Sequence, residues 1–320
     1  MNNPYPSLFS LGWNDSWAAL LAEAEIPGAV PGRVVRRDRG WVTVATGTAV
    51  ESVEIAGQTG EIVTGDWVVL AGGRVAATLP RKGVLRRRTS DGLEQLLAAN
   101  VDVVLLVCGL DRPVKPGRVH RGAVQAWDAG AEAVVILNKT DLTIDPKEAA
   151  DAIAAETFGL EILPVSSRTG EGLEAVHETI RGRTTVLLGE SGAGKSSLLN
   201  ALAGRSLAAE GAVREGDAKG RHTTIRRELH VLPDAGIVID TPGIREFGLA
   251  ATPEAVESAF EDIEELAQGC KFADCGHETE PGCAVKAAIE AGTVRRGRLD
   301  AYLRLRRELE SQVVRENPYE

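Results

Sequence analysis

The eight residues Gly189 to Ser196 constrain this chain more than any other stretch. They read Gly-Glu-Ser-Gly-Ala-Gly-Lys-Ser, so two glycines bracket four residues and a lysine and a hydroxyl follow. Ahead of them lies TTVLLG, a short apolar and β-branched run; behind them lies SSLLNALAG, with apolar residues at helical spacing. A strand that turns through glycines into a helix makes a phosphate cradle. Backbone amides of Gly189, Glu190, Ser191, Gly192, Ala193 and Gly194 can converge on phosphate oxygens. The helix N-terminus, at Lys195, Ser196 and Ser197, adds its dipole. Lys195 is then expected to reach the β- and γ-phosphates, and the Ser196 hydroxyl to ligate Mg²⁺.

The surrounding texture fits a parallel sheet. VDVVLLVCG, AEAVVILN, EILPVSS, TTVLLGE, ELHVLP and GIVIDTPG read as mostly buried strands. Helical patterns over 118–129, 146–158, 172–181 and 196–203 separate several of them. Such alternation predicts helices on both faces of a largely parallel sheet.

A phosphate loop does not choose its base. Asn138-Lys139-Thr140-Asp141, at the end of AEAVVILN, makes that choice. In GTPases with this N-K-x-D pattern, the carboxylate accepts hydrogen bonds from guanine N1–H and N2–H₂, which adenine cannot supply. A carboxylate left unpaired in a closed pocket is costly, so the discrimination is strong. Asn138 is expected to brace the loop and the Lys139 stem to cover the base. Ser166 and Ser167, after EILPV, resemble the accessory loop whose amide meets guanine O6.

Asp240-Thr-Pro-Gly243 follows GIVI and resembles the D-x-x-G motif. Asp240 would hold Mg²⁺ through water, and the Gly243 amide would meet the γ-phosphate. Thr224, in preference to Thr223, is expected to cap Mg²⁺ and complete its set with Ser196 and Asp240. Many GTPases place a water-orienting Gln directly after D-x-x-G; here that residue is Ile244. Slow intrinsic hydrolysis is expected. His222 either orients the attacking water or only contacts RNA within its loop.

The order of these motifs is unusual. N-K-x-D comes first, then Ser166, the phosphate loop, Thr224 and Asp240. The cyclic order of small GTPases is kept while the start point has moved. The segment Ile244–Leu249 therefore leads straight into the C-terminal region.

Residues 1–30 read as a leader with one helix, capped by Asn14 or Asp15. From 31 to 80, short β-branched runs separated by glycine turns suggest a small OB-like barrel, a fold that often binds RNA. Trp67 belongs to the core pattern; Trp41 is either core or a stacking surface. Net charge is −10, which opposes nucleic-acid binding, but the arginines cluster. One group is Arg33, Arg36, Arg37 and Arg39. A second is Arg81, Lys82, Arg86, Arg87 and Arg88, and a third is Arg295, Arg296 and Arg298. Such runs are either RNA contacts or solvated faces. No stretch is long and apolar enough for a membrane span, and the N-terminus lacks a signal-peptide pattern, so a cytoplasmic protein is expected.

After residue 250 strands give way to helices. Thr252-Pro253 is a cap-then-proline start, and Leu299, Tyr302, Leu303, Leu309 and Val313 mark the last helix. Between them lies Cys270-x₄-Cys275-x-His277-x₅-Cys283. Three thiolates and an imidazole fill four positions, which suits a structural zinc ion rather than a catalytic one.

With these motifs in place, the sequence resembles the RsgA/YjeQ family, the bacterial GTPases of small ribosomal subunit biogenesis. DTPGIREFGL and GRHTT match its patterns especially closely. The resemblance covers nearly the whole chain and implies three units. A leader helix with an OB-fold RNA-binding domain spans 1–92, a circularly permuted P-loop GTPase α/β domain 93–250, and an α-helical zinc-binding domain 251–320. It further implies a monomeric GTP hydrolase that binds the 30S subunit and 16S rRNA late in assembly. Such a factor assists maturation of the decoding region and leaves on hydrolysis. The family's loop histidine maps onto His222, which favours catalysis, beside Lys195 and Thr224. An RNA-binding module that uses GTP only as a structural ligand is the competing expectation. An ATPase or small-molecule kinase is opposed by Asn138 and Asp141.

Overall fold

The computed structural model describes residues 4–55, 60–89, 92–157, 159–207, 227–232, 235–241 and 250–316. His222, Thr223, Thr224, Gly243 and Ile244 lie outside the described residues, as does the Val313 side chain.

The leader forms a short 3-10 turn, Phe9–Leu11, then helix α1, Asp15–Glu23. The cap of α1 is Asn14, whose side chain accepts from the amides of Ser16 and Trp17, rather than Asp15. Five strands follow: β1 (Val30–Asp38), β2 (Trp41–Ala45), β3 (Val50–Glu54), β4 (Trp67–Ala71) and β5 (Arg74–Thr78). β1 pairs antiparallel with both β2 and β4, β2 pairs with β3, β4 pairs with β5, and β3 runs beside β5. Val34, Val42, Val44, Val53, Ile62, Val68, Leu70 and Val75 fill the interior they enclose. Strand alternation sends Val35 the other way, into the core shared with the GTPase sheet.

That second core exists because β1 has a further partner. The main sheet runs β10 (Glu161–Pro164), β9 (Glu132–Asn138), β8 (Val103–Gly109), β11 (Thr184–Gly189), β13 (Gly236–Asp240), β12 (Glu228–Leu232) and then β1. β10, β9, β8, β11 and β13 are parallel; β12 lies antiparallel between β13 and β1. The expected parallel sheet thus continues through β12 into the N-terminal strands. On β8, Val103, Leu105 and Val107 face α4 (Leu173–Ile180) and α5 (Lys195–Ala203). Val104 and Leu106 face α2 (Pro116–Asp128) and share its core with α3 (Pro146–Glu156). Both faces are covered, so the strands are apolar almost throughout.

A separate hairpin, β6 (Val84–Arg88) and β7 (Glu94–Ala99), straddles the boundary expected at residues 92–93. At the other end, α6 (Pro253–Ala259), α7 (Glu261–Ala267), α8 (Ala284–Glu290) and α9 (Arg296–Glu316) pack around Phe260, Tyr302 and Leu305, with Val124 of α2 inside the same cluster. Thr252 caps α6 through its side chain.

The arginine groups separate on folding. Arg33 is 2% exposed, and its guanidinium donates to the carbonyls of Leu11, Gly65 and Asn100 and to Thr184 Oγ1. One buried cation thereby ties leader, barrel and GTPase sheet together. Burial pushes it down to about 10 while Asp102 and Asp66 oppose. Arg81 pairs with buried Asp66 at 2.7 Å, Arg86 with Asp128 at 3.1 Å, and Arg298 with Asp262 at 2.5 Å. These four are structural, so neither an RNA contact nor a solvated face describes them. Trp67 is buried with Trp13 edge-on at 4.7 Å, whereas Trp41 is 46% exposed. Among the described residues no helix is long and apolar enough to cross a membrane.

Candidate nucleotide site

Three loops meet at the C-terminal ends of β9, β10 and β11, and Asn138 joins them. Its Nδ2 donates to the Ala193 carbonyl at 3.1 Å and to the Gly194 carbonyl at 3.4 Å, both in the phosphate loop. Its Oδ1 accepts from the Ser167 amide at 3.1 Å and the Ser167 hydroxyl at 2.8 Å. The Lys139 amide donates to the same oxygen at 2.8 Å. Asn138 is 1% exposed and uses both ends of its amide. The packing is close enough to require glycine at 194: a Cβ there would stand 2.3 Å from Asn138 Nδ2, and φ is +95°.

Lys139 takes a left-handed backbone, φ +68°, at the strand end. Its ammonium reaches the Gly192 carbonyl at 2.7 Å and Asp111 at 3.0 Å. The aliphatic stem therefore spans from N-K-x-D to the phosphate loop. Asp141 accepts from the Ser166 hydroxyl at 2.6 Å, and Arg168 stands 3.5 Å away. Ser166, then Arg168, holds the Asp141 carboxyl below its ordinary range, so it is ionised and an acceptor. Asn138, Lys139, Asp141, Leu142, Ser167, Arg168, Gly194 and Ser197 line one cleft.

Lys195 is 7% exposed, and its ammonium donates to the carbonyls of Gly189 and Glu190 at 2.7 and 2.8 Å. Burial lowers it to about 8, opposed by Asp240. Burial raises the Asp240 carboxyl, and His230 and Lys195 pull it back. A cation and a carboxylate at the ends of adjacent strands suit a phosphate–metal pair. Thr241 Oγ1 donates to the Leu187 carbonyl at 2.6 Å and fixes the residue that follows Asp240.

The cysteine cluster also assembles. The ligand atoms of Cys270, Cys275, His277 and Cys283 lie within 4.8 Å of one another. Cys270 Sγ is 3.8 Å from Cys283 Sγ and 3.6 Å from His277 Nδ1, which is 3.4 Å from Cys283 Sγ. Edges of a tetrahedral zinc site with two thiolates are about 3.8 Å, so the donor set fits that ion.

A family model for the RsgA GTPase matches residues 78–250. A Streptomyces coelicolor relative named small ribosomal subunit biogenesis GTPase RsgA is 43% identical over 318 residues, covering 95% of this chain and 87% of its own.

This chain belongs to the RsgA family.

A further RsgA relative, from Xanthomonas axonopodis, is 38% identical over 330 residues, covering 96% of this chain and 90% of its own. Among solved structures, YjeQ from Thermotoga maritima superposes with TM-score 0.66 at 28% identity, covering 88% of this chain and 98% of its own. YloQ, described as a circularly permuted GTPase, does so with TM-score 0.62 at 23% identity, covering 90% and 97%. As an RsgA family member this chain is a circularly permuted GTPase and hydrolyses GTP.

Sequence patterns missed several residues at this RsgA site. Asp111 and Arg112 follow β8 and reach Lys139 and the edge of the phosphate loop. Arg118 of α2 pairs with Glu190 inside that loop. Arg168 stands beside Asp141. The position of Asp111 at a strand end facing the N-K-x-D strand was the one available signal.

Proposed function

We propose that this protein is a GTPase of small ribosomal subunit biogenesis, cytoplasmic and monomeric, whose turnover the 30S subunit stimulates. It binds that subunit and its 16S rRNA late in assembly, assists maturation of the decoding region, and departs after hydrolysis. The observation that carries this is the Asn138 bridge between the guanine-type loops and the phosphate loop, in a chain whose relatives bear that name.

In this proposal Asp141 accepts the two guanine N–H donors, and Lys139 covers the base. Ser166 fixes the Asp141 carboxylate, and the Ser167 segment supplies an amide to O6. The loop Gly189 to Gly194 with Ser196 and Ser197 wraps the phosphates. Lys195 moves from the Gly189 and Glu190 carbonyls onto phosphate oxygens. Mg²⁺ is held by Ser196, Asp240 and Thr224, with Gly243 at the γ-phosphate. His222 takes the water-orienting role that Ile244 cannot. Cys270, Cys275, His277 and Cys283 hold one structural zinc that sets the helical unit's fold.

The order β1-β2-β3-β5-β4 supports an OB-like barrel in the N-terminal unit. The three units have borders near residues 92 and 250. Sedimentation of the protein with purified 30S subunits, with a non-hydrolysable GTP analogue and with GDP, tests the proposal. Co-sedimentation that is stronger with the analogue is expected. Equal or absent sedimentation in both nucleotide states would remove the ribosomal role.

A further inference from the structure

The strand that precedes N-K-x-D has a neighbour whose loop reaches across to hold it. Gly109 closes β8 opposite Asn138, and the Leu110 amide still donates to the Asn138 carbonyl at 2.9 Å. One residue further on, Asp111 comes alongside Lys139. Its carboxylate is seated over Gly109: a Cβ there would stand 2.5 Å from Asp111 Oδ1, 3.4 Å from Ala193 Cα and 3.5 Å from Lys139 Cε. Glycine at 109 leaves room for the carboxylate, the lysine stem and the phosphate loop together.

From that seat Asp111 Oδ2 accepts from Arg112 Nη2 at 3.0 Å and lies 3.0 Å from the Lys139 ammonium. The ammonium places a second donor on the Gly192 carbonyl at 2.7 Å. The Lys139 and Asp111 side chains are 26% and 27% exposed, so solvent screens this pair less than an ordinary surface pair. Burial opposes charge on Asp111, but Arg112 and Lys139 outweigh it and hold the carboxyl below its ordinary range. Arg112 Nη2 would also stand 3.3 Å from a Cβ on Gly192. Lys139 and Arg112 thus both border Gly192 of the phosphate loop, and Asp111 joins them.

A lysine stem is long and rich in rotamers, and ordering it during binding costs affinity. A single carbonyl acceptor would let the ammonium trade that contact for water. The Asp111 carboxylate fixes it at a second point with a charge-assisted contact. The left-handed backbone of Lys139, φ +68°, sets the other end of the stem. The stem between is therefore held in place before any nucleotide arrives.

We propose that Asp111 is a positioning residue for guanine-nucleotide binding: it pins the Lys139 ammonium beside Gly192 and so pre-forms the aliphatic surface on which the guanine ring lies. This rests on the base-covering role given to Lys139 above. Asp111 touches no reacting atom, so it sets affinity for GDP and GTP alike and leaves the chemical step unchanged. A lysine stem meets the face of the ring rather than its edge. Asp111 therefore adds nothing to the choice between purine edges, which stays with Asp141.

The test is a double-mutant cycle on the full chain, with Asp111→Ala, Asp111→Asn, Lys139→Met and Lys139→Ala, and each Asp111 change combined with Lys139→Met. Fluorescent GDP gives affinity directly; GDP and inosine diphosphate, which lacks the 2-amino group, are compared by competition. Asp111→Ala is expected to bind GDP about tenfold more weakly. Its single-turnover rate at saturating GTP should stay within about twofold of wild type. Asp111→Asn keeps an oxygen acceptor without the charge and should fall between the two. Lys139→Met keeps an apolar chain without the ammonium, so in that background the Asp111→Ala loss should vanish. The loss should be the same for GDP and inosine diphosphate. An undiminished Asp111→Ala loss in the Lys139→Met background would place the carboxylate's effect elsewhere and overturn the proposal. Unchanged GDP affinity in Asp111→Ala, with Lys139→Ala weakened, would also overturn it and leave the base-covering reading standing. Unchanged affinity in Lys139→Ala would sink that reading and the Asp111 proposal with it. A loss that differs between the two diphosphates would move Asp111 to the guanine edge and refute the proposal. A melt without nucleotide reads folding, and where Asp111→Ala fails to fold, Asp111→Asn decides through the same comparisons.

Discussion

Replacing Asn138 with alanine separates binding from hydrolysis, because this side chain touches loops rather than reacting atoms. The wild-type amide makes three well-formed contacts between loops: Ala193 carbonyl at 3.1 Å, Ser167 amide at 3.1 Å and Ser167 hydroxyl at 2.8 Å. At roughly 1 kcal/mol net for each, the loops lose about 3 kcal/mol of mutual support. Alanine also leaves the buried Ala193 carbonyl without that donor. If that support holds the loops in their binding arrangement, its loss appears as a smaller competent fraction and a proportionally weaker apparent affinity. About 3 kcal/mol corresponds to about a hundredfold. Titration with a fluorescent GDP analogue reads this directly, and a thermal melt without nucleotide reads the structural part. A loss below about threefold, with the fold intact, would show that the loops hold themselves and that the bridge is incidental. Asn138→Asp refines the test: it keeps the acceptor for Ser167 but turns a buried carboxylate oxygen onto the Ala193 and Gly194 carbonyl oxygens, so a loss at least as large as that of alanine is expected.

Lys195 titrates near 8 because burial disfavours its charge, so phosphate binding should raise it. As pH rises above about 8, nucleotide binding is therefore expected to take up a proton and to weaken. Calorimetry in buffers of different ionisation enthalpy reads that uptake, and a pH-independent binding enthalpy and affinity would refute it. Arg33→Met keeps length but leaves the carbonyls of Leu11, Gly65 and Asn100 without their donor. A cost of about 3 kcal/mol, or a melting temperature lower by roughly 6–10 °C, is expected, and no change would mean that the seam does not depend on this cation. Removing the metal with a chelator, or changing Cys283 to serine, should expose the Phe260–Tyr302 core and loosen α2 through Val124. Hydrogen exchange that stays slow in α6 to α9 after metal loss would contradict a folding role for zinc.

Motif chemistry was readable in the sequence because it is local. The phosphate loop, N-K-x-D and the Cys/His spacing each lie within a few residues, and the strands around them are apolar enough to be seen alone. Asn14 rather than Asp15 capping α1 is a matter of one residue's backbone angle. Long-range pairing left no such mark. Nothing in VPGRVVRRD says that one strand serves two cores, with Val34 facing one and Val35 the other. The same limit governs charge. Arg33, Arg81, Arg86 and Arg298 sit in basic runs, but acceptors far away in sequence decide that they are structural.

The most direct test of the account is GTP turnover by the wild-type protein and by His222→Ala, with and without purified 30S subunits. Slow turnover alone, strong stimulation by subunits, and loss of that stimulation in His222→Ala with GTP binding retained are predicted. Turnover that subunits leave unchanged would contradict a ribosome-triggered GTPase. Stimulation that persists in His222→Ala would keep the ribosome and remove this histidine from the chemistry.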